Sequence, residues 1–290
     1  MTIAERESSV GFHPGVVRNI TQRELPQALA LAQKEPSVNG FVISRIEAAL
    51  VDHWRLGGAL WGFFNADHIL GMLFVGANIV PVNTDASARS AFAAELIRAG
   101  RRSSSILGES DQVRDLWHGM ETYWGKARAV RENQPFLQID SDPGCGRDVR
   151  GRRVVAGELD LLFPACVDMF TEEVGVSPVA HGGEHQYRRR IAEVIDSGMA
   201  FAVIESGRVL FKTEVGFTTE KIAQLQGVWV NPEVRGRGLA GPALAAAIVE
   251  IRASCAQTVT LYVNDFNIPA RKTYEQLGFK QVATYATVLF

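Results

Sequence analysis

The chain has 290 residues, with 30 basic and 32 acidic side chains, a formal net charge of -2 and 47% hydrophobic residues. This is the balance of a folded globular protein, and it excludes disordered and low-complexity classes. A near-neutral charge gives no overall footprint for nucleic acid or an anionic membrane surface. The longest near-apolar run, starting at Gly238, is too short for a membrane span. Cys145, Cys166 and Cys255 are too few and too scattered for a disulfide framework or a cysteine-rich zinc site. Met1 to Val10 is charged and has no apolar core ahead of a cleavage site, so a cytoplasmic protein is expected.

In chain order, apolar periodicity predicts a strand at Gly15–Ile20, helices at Glu24–Lys34 and Phe41–Leu50, and three strands at Ala59–Asn65, His68–Gly76 and Asn78–Val82. A helix at Ala86–Ala99, a strand at Ser103–Gly108, a helix at Asp111–Trp124 and a strand at Pro135–Ile139 follow. Ile139 to Arg153 is rich in Pro, Gly and charge, as linkers are. Beyond it the same order returns. A short strand at Arg152, helices at Glu158–Val174 and Glu184–Asp196, and a meander at Met199–Ser206, Arg208–Phe217 and Ile222–Val230 come first. Helix Leu239–Ala253, strand Thr258–Val263, helix Pro269–Leu277 and a last strand at Phe279–Phe290 complete it. The expectation is an α/β (α+β) protein of two duplicated domains, residues 1–145 and 146–290, each a mixed, mostly antiparallel sheet flanked by helices.

The most informative segment runs from Val228 to Leu244, where a strand ends at Asn231-Pro232 and Arg235-Gly236-Arg237-Gly238 opens a helix. Glycines let the main chain approach a ligand, and the helix N-terminus and two arginines supply positive charge, so the loop suits a pyrophosphate. A Walker loop would need GK[ST] and a dinucleotide fold would need GxGxxG in a parallel βαβ unit, and neither is present. Taken alone, Arg-Gly-Arg-Gly also fits a surface turn.

The pattern V-x-V-x-P-x-x-R-G-x-G-x-A over Val228–Ala240 resembles the acetyl-CoA loop of the GNAT acyltransferase superfamily. Downstream, Asn267, Ala270, Tyr274, Leu277, Gly278 and Phe279 form N-x-x-A-x-x-x-Y-x-x-L-G-F, similar to that family's second half-site. The resemblance covers about Arg152 to Phe290. The whole chain, with a GNAT-like first half that lacks both motifs, resembles two-part family members of actinobacteria.

The resemblance implies acetyl-CoA as cosubstrate, held by Val228, Trp229, Val230, Arg235, Gly236, Arg237, Gly238, Leu239, Ala240, Asn267, Ala270 and Tyr274. It also implies a strand bulge near Gly227–Val230 that lets the Val228 or Val230 amide polarise the acetyl carbonyl. Asn267 would hold the pantetheine arm, or cap the helix ahead of Pro269. Tyr274 would protonate the departing thiolate, or else pack in the core. Where many relatives carry a basic Glu, this chain has Gln224, which accepts no proton at neutral pH. Glu214, Glu172, Glu173 and the terminal carboxylate of Phe290 are the candidate bases, each equally readable as a surface charge.

Glu172, Glu173 and His181 are the candidate acceptor-binding residues. His181 and His185 could pair on a metal, but Gly182 and Gly183 argue for a loop and no third ligand is apparent, so no metal is expected. In the first half, Asp85 stands where positive charge would be needed, so no acetyl-CoA site is expected there, and apolar strands such as His68–Gly76 would cover the second sheet or shape the acceptor cleft. The resulting expectation is an N-acetyltransferase acting on a primary amine, with a non-catalytic acyl-CoA sensor or a longer acyl donor as alternatives. No nucleic-acid or membrane partner is expected, and no motif sets the acceptor or the oligomeric state.

Overall fold

The first half supplies β1 (Val16–Asn19), β2 (Ala59–Asn65), β3 (His68–Val75), β4 (Asn78–Val82), β5 (Ser105–Glu109) and β6 (Ala129–Ile139). The second supplies β7 (Arg152–Arg153), β8 (Ala200–Glu205), β9 (Arg208–Thr218), β10 (Ile222–Val230), β11 (Thr258–Tyr262) and β12 (Lys280–Leu289). In the computed structural model, which describes residues 15–290 and only the main chain at His181, these strands form one sheet. The expectation for Met1–Val10 lies outside the described residues.

The strand order is β1-β2-β3-β4-β5-β12-β6-β11-β10-β9-β8-β7. Two pairs are parallel, β4 with β5 (Asn78 opposite Ser105) and β10 with β11 (Ile222 opposite Thr258), and they occupy matching places in the two halves. The other pairs are antiparallel. Tight turns at Ala66 and at Ser206-Gly207, all with positive φ, set the β2–β3 and β8–β9 hairpins.

The halves exchange their last strands. β6 pairs with β11, from Ile139 opposite Val259 to Phe136 opposite Tyr262, and β12 pairs with β5, from Tyr285 opposite Glu109 to Leu289 opposite Ser105. β6 and β12 also pair with each other at the centre of the sheet. Phe136, Leu137 and Ile139 are buried on both faces of β6, as a central strand requires. The sheet therefore runs unbroken across the segment between Ile139 and Arg152, and each half is completed by a strand of the other.

Helices cover both faces. In the first half α1 (Leu25–Ala32) and α2 (Gly40–Val51) enclose one core with Leu60, Met72 and Phe74, while α3 (Ala86–Ala99) and α4 (Ser110–His118) enclose another around Phe92, Ile106 and Leu116. A single turn of helix, α5 (Glu121–Trp124), follows α4. In the second half α6 (Leu159–Val174) and α7 (Glu184–Asp196) cover one face, and α8 (Ala240–Ser254) and α9 (Ile268–Leu277) the other. Strand β3 lies inside the first half between its two cores, with Met72 in one and Leu73 in the other. It therefore does not cover the second sheet, contrary to the expectation for His68–Gly76. The first half meets the second through β6 and β5 in the sheet and through α2, whose Phe41 packs edge-on to Phe217 of β9 at 6.1 Å between ring centres.

Candidate functional site

The site starts from a fault in the sheet. β10 pairs with β11 only from Ile222 to Gln224, and the two strands diverge beyond that point. On its other side β10 slips against β9. Gln226 lies opposite Glu214 and Trp229 opposite Lys212, so Gly227 and Val228 together face Thr213. Gly227 has φ +60°, and a Cβ there would come within 2.9 Å of Lys212 Nζ and 3.0 Å of Met169 Cε. Only glycine suits both the backbone and the space. The fault leaves main chain exposed in a wedge between two strands, where the family resemblance implied a bulge.

Two cavities meet in this wedge. One, of about 660 Å³, runs along the loop and the start of α8 and past α9. The other, smaller one, of about 260 Å³, is lined by Met169, Glu173, Gln226, Gly227, Tyr262 and Asn264 among others. Glu172, Val228, Trp229, Asn267 and Tyr274 line both.

The larger cavity is a cradle at a helix start. Gly236 and Gly238 have φ of +74° and +76°, and a Cβ built on either meets nothing within 4 Å. Leu239 occupies the cap position of α8 with no side-chain cap, so the first turn of that helix keeps its donors for something other than the protein. Ala240 begins the helix, and Arg237 is exposed. An anionic phosphate fits such a place. Arg235 is arranged differently from the expectation: its Nε donates to the Val230 carbonyl at 2.9 Å and its Nη2 to Glu172 at 2.8 and 3.1 Å. Its charge is shared with an acid as well as facing the cradle.

Tyr274 is buried on α9, edge-on to Phe279 at 5.8 Å between ring centres, and lines both cavities. Burial first, and then the charge of Glu173, push its phenol above the ordinary tyrosine range. It keeps its proton at neutral pH. Asn267 caps α9, its Oδ1 accepting from the Ala270 amide at 3.3 Å, and also lines both cavities, so the two sequence readings of this residue are compatible. Ala270 lines the larger cavity.

The candidate bases separate. Glu214 lies under the sheet, 4% exposed, held by Arg190 at 2.6 Å and Gln226 at 2.7 Å. Burial works to raise its carboxyl, but the charges of Lys212 and Arg190, with hydrogen bonds from Arg190 and Gln226, outweigh it and leave the group below the usual carboxylate range. A carboxylate so occupied is an ion-pair partner rather than a free base. Glu172 accepts from Arg235 and, at 3.2 Å, from Trp229 Nε1. Glu173 lines the smaller cavity, and its charge helps raise both Tyr274 and Tyr262, the latter pushed up to about 12 chiefly by burial.

The Phe290 ring packs against Trp117 at 5.5 Å and Trp124 at 5.4 Å, and its amide donates to Ser104. The strand exchange carries the chain end into the first half, so Phe290 is not brought into either cavity of the wedge. His181 sits in the short turn Ala180–Gly182, and its side chain lies outside what the structure describes.

Sequence reasoning missed Arg131 and Gln134, which reach the smaller cavity from β6 of the first half. Arg131 Nη2 donates to the Glu173 carbonyl at 2.5 Å, and Gln134 is held by Asn264 at 2.9 Å and Thr287 at 2.6 Å. Lys212 beneath the bulge and Cys145 beside the larger cavity were also missed. Nothing local marks these residues, because their roles follow from which strand lies beside which.

Among the described residues no group of three or more His, Cys, Asp or Glu could hold a metal ion, and no helix is long and apolar enough to cross a membrane.

Residues 215–288 match the family model described as FR47-like protein, and residues 58–162 match a domain of unknown function, DUF4081. A Mycothiol acetyltransferase of Corynebacterium aurimucosum is 41% identical over 61 residues, which are 21% of this chain and 20% of that protein. The chain thus aligns with about a fifth of the length of the curated relative it matches. An acetyltransferase of the GNAT family from Colwellia psychrerythraea is similar in fold, with a TM-score of 0.58 at 13% identity, covering 95% of this chain and 99% of that one. A tandem GNAT protein from the clavulanic acid biosynthesis pathway has a TM-score of 0.57 at 13% identity, covering 95% and 98%. A GCN5-related N-acetyltransferase from Sphaerobacter thermophilus has a TM-score of 0.61 at 16% identity, covering 94% of each chain. With the bulged strand, the uncapped glycine loop and these likenesses in place, the chain has a tandem GNAT fold, and residues 215–288 of its second half match the FR47-like family model.

Proposed function

We propose that this protein is an N-acetyltransferase that moves the acetyl group of acetyl-CoA directly onto a primary amine of a small molecule or a protein. The observation that carries the reading is the uncapped, glycine-lined start of α8 opening into a wedge whose far wall holds a protonated tyrosine. The amides from Gly236 to Ala240 grip the pyrophosphate, and Arg237 adds charge. The main chain of Gly227 and Val228, offset from the β9 ladder, lies against the acyl group, where an amide polarises the thioester carbonyl. Tyr274 hands its proton to the departing thiolate sulfur. Glu173 at the smaller cavity receives the proton of the attacking amine, since Glu214 is already paired. Arg131 from β6 borders the same cavity, so the first half helps shape the acceptor site while holding no second acetyl-CoA. Cytoplasmic residence accords with the three unpaired cysteines.

Calorimetry with acetyl-CoA, followed by thiol release in the presence of a panel of primary amines, tests the reading. One site per chain and amine-dependent release of CoA are expected. Binding without turnover on any amine would make the protein an acyl-CoA sensor, and preferential binding of longer acyl-CoAs would change the donor.

A further inference from the structure

One buried group beside the wedge has no part in the reaction so far. Lys212 on β9 is 1% exposed, and its Nζ has no hydrogen-bond partner in the structure. Its nearest acid oxygen, Glu214 Oε2, is 3.8 Å away, beyond hydrogen-bond reach. The other carboxylate oxygen is taken by Arg190 Nη2 at 2.6 Å and Gln226 Nε2 at 2.7 Å. The cluster thus holds two cations against one carboxylate. Its other titratable neighbours, Cys166 on α6 and Tyr187 on α7, are neutral, since burial pushes both above their ordinary ranges.

An ammonium so far out of water and so poorly partnered is costly, and proteins keep such groups where the field is used. Its position says where the field acts. A Cβ at Gly227 would lie 2.9 Å from Nζ, so the ammonium sits against the bulged main chain on the side of the sheet covered by α6. Trp229, Met169 and Cys166 exclude water around it. In such a low-dielectric setting a charge is felt strongly across one layer of backbone.

We infer that Lys212 is a positioning residue for acyl transfer, its fixed positive charge acting through the main chain of Gly227 and Val228 to favour negative charge on the acyl carbonyl oxygen. The inference rests on the acetyltransferase reading and deepens it. It assigns Glu214 a role opposite to that of a base: the carboxylate partly neutralises Lys212 and sets how much of the charge reaches the bulge.

Isotope-edited infrared spectroscopy of acetyl-CoA labelled with carbon-13 at the carbonyl, bound to the full chain, tests this without any acceptor. The bound carbonyl stretch is expected at lower frequency than in free acetyl-CoA. Lys212→Met should lose most of that downshift while its calorimetric affinity stays close to that of the unaltered chain. Glu214→Gln, which removes the counter-charge, should deepen the downshift. A frequency unchanged in Lys212→Met, or shifts of the same sign in both variants, overturns the inference. Should Lys212→Met fail to fold, Glu214→Gln carries the test, and absence of a deeper downshift overturns it. Failure of the unaltered chain to bind acetyl-CoA defeats the acetyltransferase reading instead, so the two failures are distinguishable.

Discussion

The turn from β4 into α3 and the turn from β10 into α8 stand at matching places in the two halves, yet they treat a helix N-terminus in opposite ways. In the first half Asp85 caps α3, its carboxylate accepting from the Ala88 amide at 2.7 Å. The Thr84 amide and hydroxyl both donate to Gln112 of α4, at 2.9 and 2.7 Å, and Arg89 pairs with Asp115 at 2.7 Å. Pro81 packs on Gly108, 3.5 Å from where its Cβ would be, filling the space beyond the last β4–β5 pair, Ile79 opposite Ile106. In the second half Leu239 cannot cap, and Gly236 and Gly238 face open space. One topology gives a sealed turn where the chain satisfies its own donors and a ligand cradle where it leaves them free.

The strongest way to break this comparison is to separate the halves. A fragment of residues 140–290 lacks β6, and with it the burial of Phe136, Leu137 and Ile139, worth about 1.5–3 kcal/mol each. Against a typical domain stability of about 5–15 kcal/mol, that loss and the newly open edges of β11 and β12 should leave the fragment unfolded or aggregated on size exclusion and by circular dichroism. A monomeric fragment with full affinity for acetyl-CoA would show the exchange to be dispensable.

Tyr274→Phe comes next. Helix α4, which follows β5 as α9 follows β11, contains no tyrosine, so the proposed proton donor has no counterpart in the first half. Turnover should fall about 100-fold to 10,000-fold with acetyl-CoA affinity little changed. Burial and Glu173 raise the phenol, so in the unaltered chain the donor stays protonated through the ordinary tyrosine range near pH ~10. The pH–rate profile should therefore show no loss of tyrosine function below that range, and a silent Tyr274→Phe would remove the acid role.

Gly238→Glu places a charge and a side chain where φ is +76° and the cradle is open. Affinity should drop about 100-fold, or about 2.7 kcal/mol. The first-half control, Asp85→Ala, should leave affinity and a stoichiometry of one unchanged. It should cost about 1 kcal/mol through the lost cap, which corresponds to about 2–4 °C in Tm. Two binding sites by calorimetry would erase the contrast between the turns.

The smallest effect is expected at the chain end. Because Phe290 packs between Trp117 and Trp124 of the first half, residues added after it should change neither the rate nor its pH profile. A large fall in turnover on such an extension would return the terminal carboxylate to the list of bases.

The elements and the open glycine loop were legible in the letters because each depends on near neighbours. Alternation marks a buried strand, Gly-x-Gly ahead of an apolar run marks an open helix start, and Asn267 two residues before Pro269 marks a cap. Tyr274 is marked by the resemblance to the family's second half-site, not by spacing alone. Which strand pairs with which is not written locally. β6 and β12 carry apolar residues that ask for burial in a sheet, and the same pattern would suit a place in either half. The tertiary structure chose the exchange, since β11 and β5 each needed a partner on the open edge and each took the other half's last strand. That choice sent Phe290 away from the site, brought Arg131 and Gln134 into it, and set Glu214 between Lys212 and Arg190, where a candidate base became a counter-ion. A side chain's chemistry is fixed by its type, but its role depends on the charges and donors that distant segments place around it.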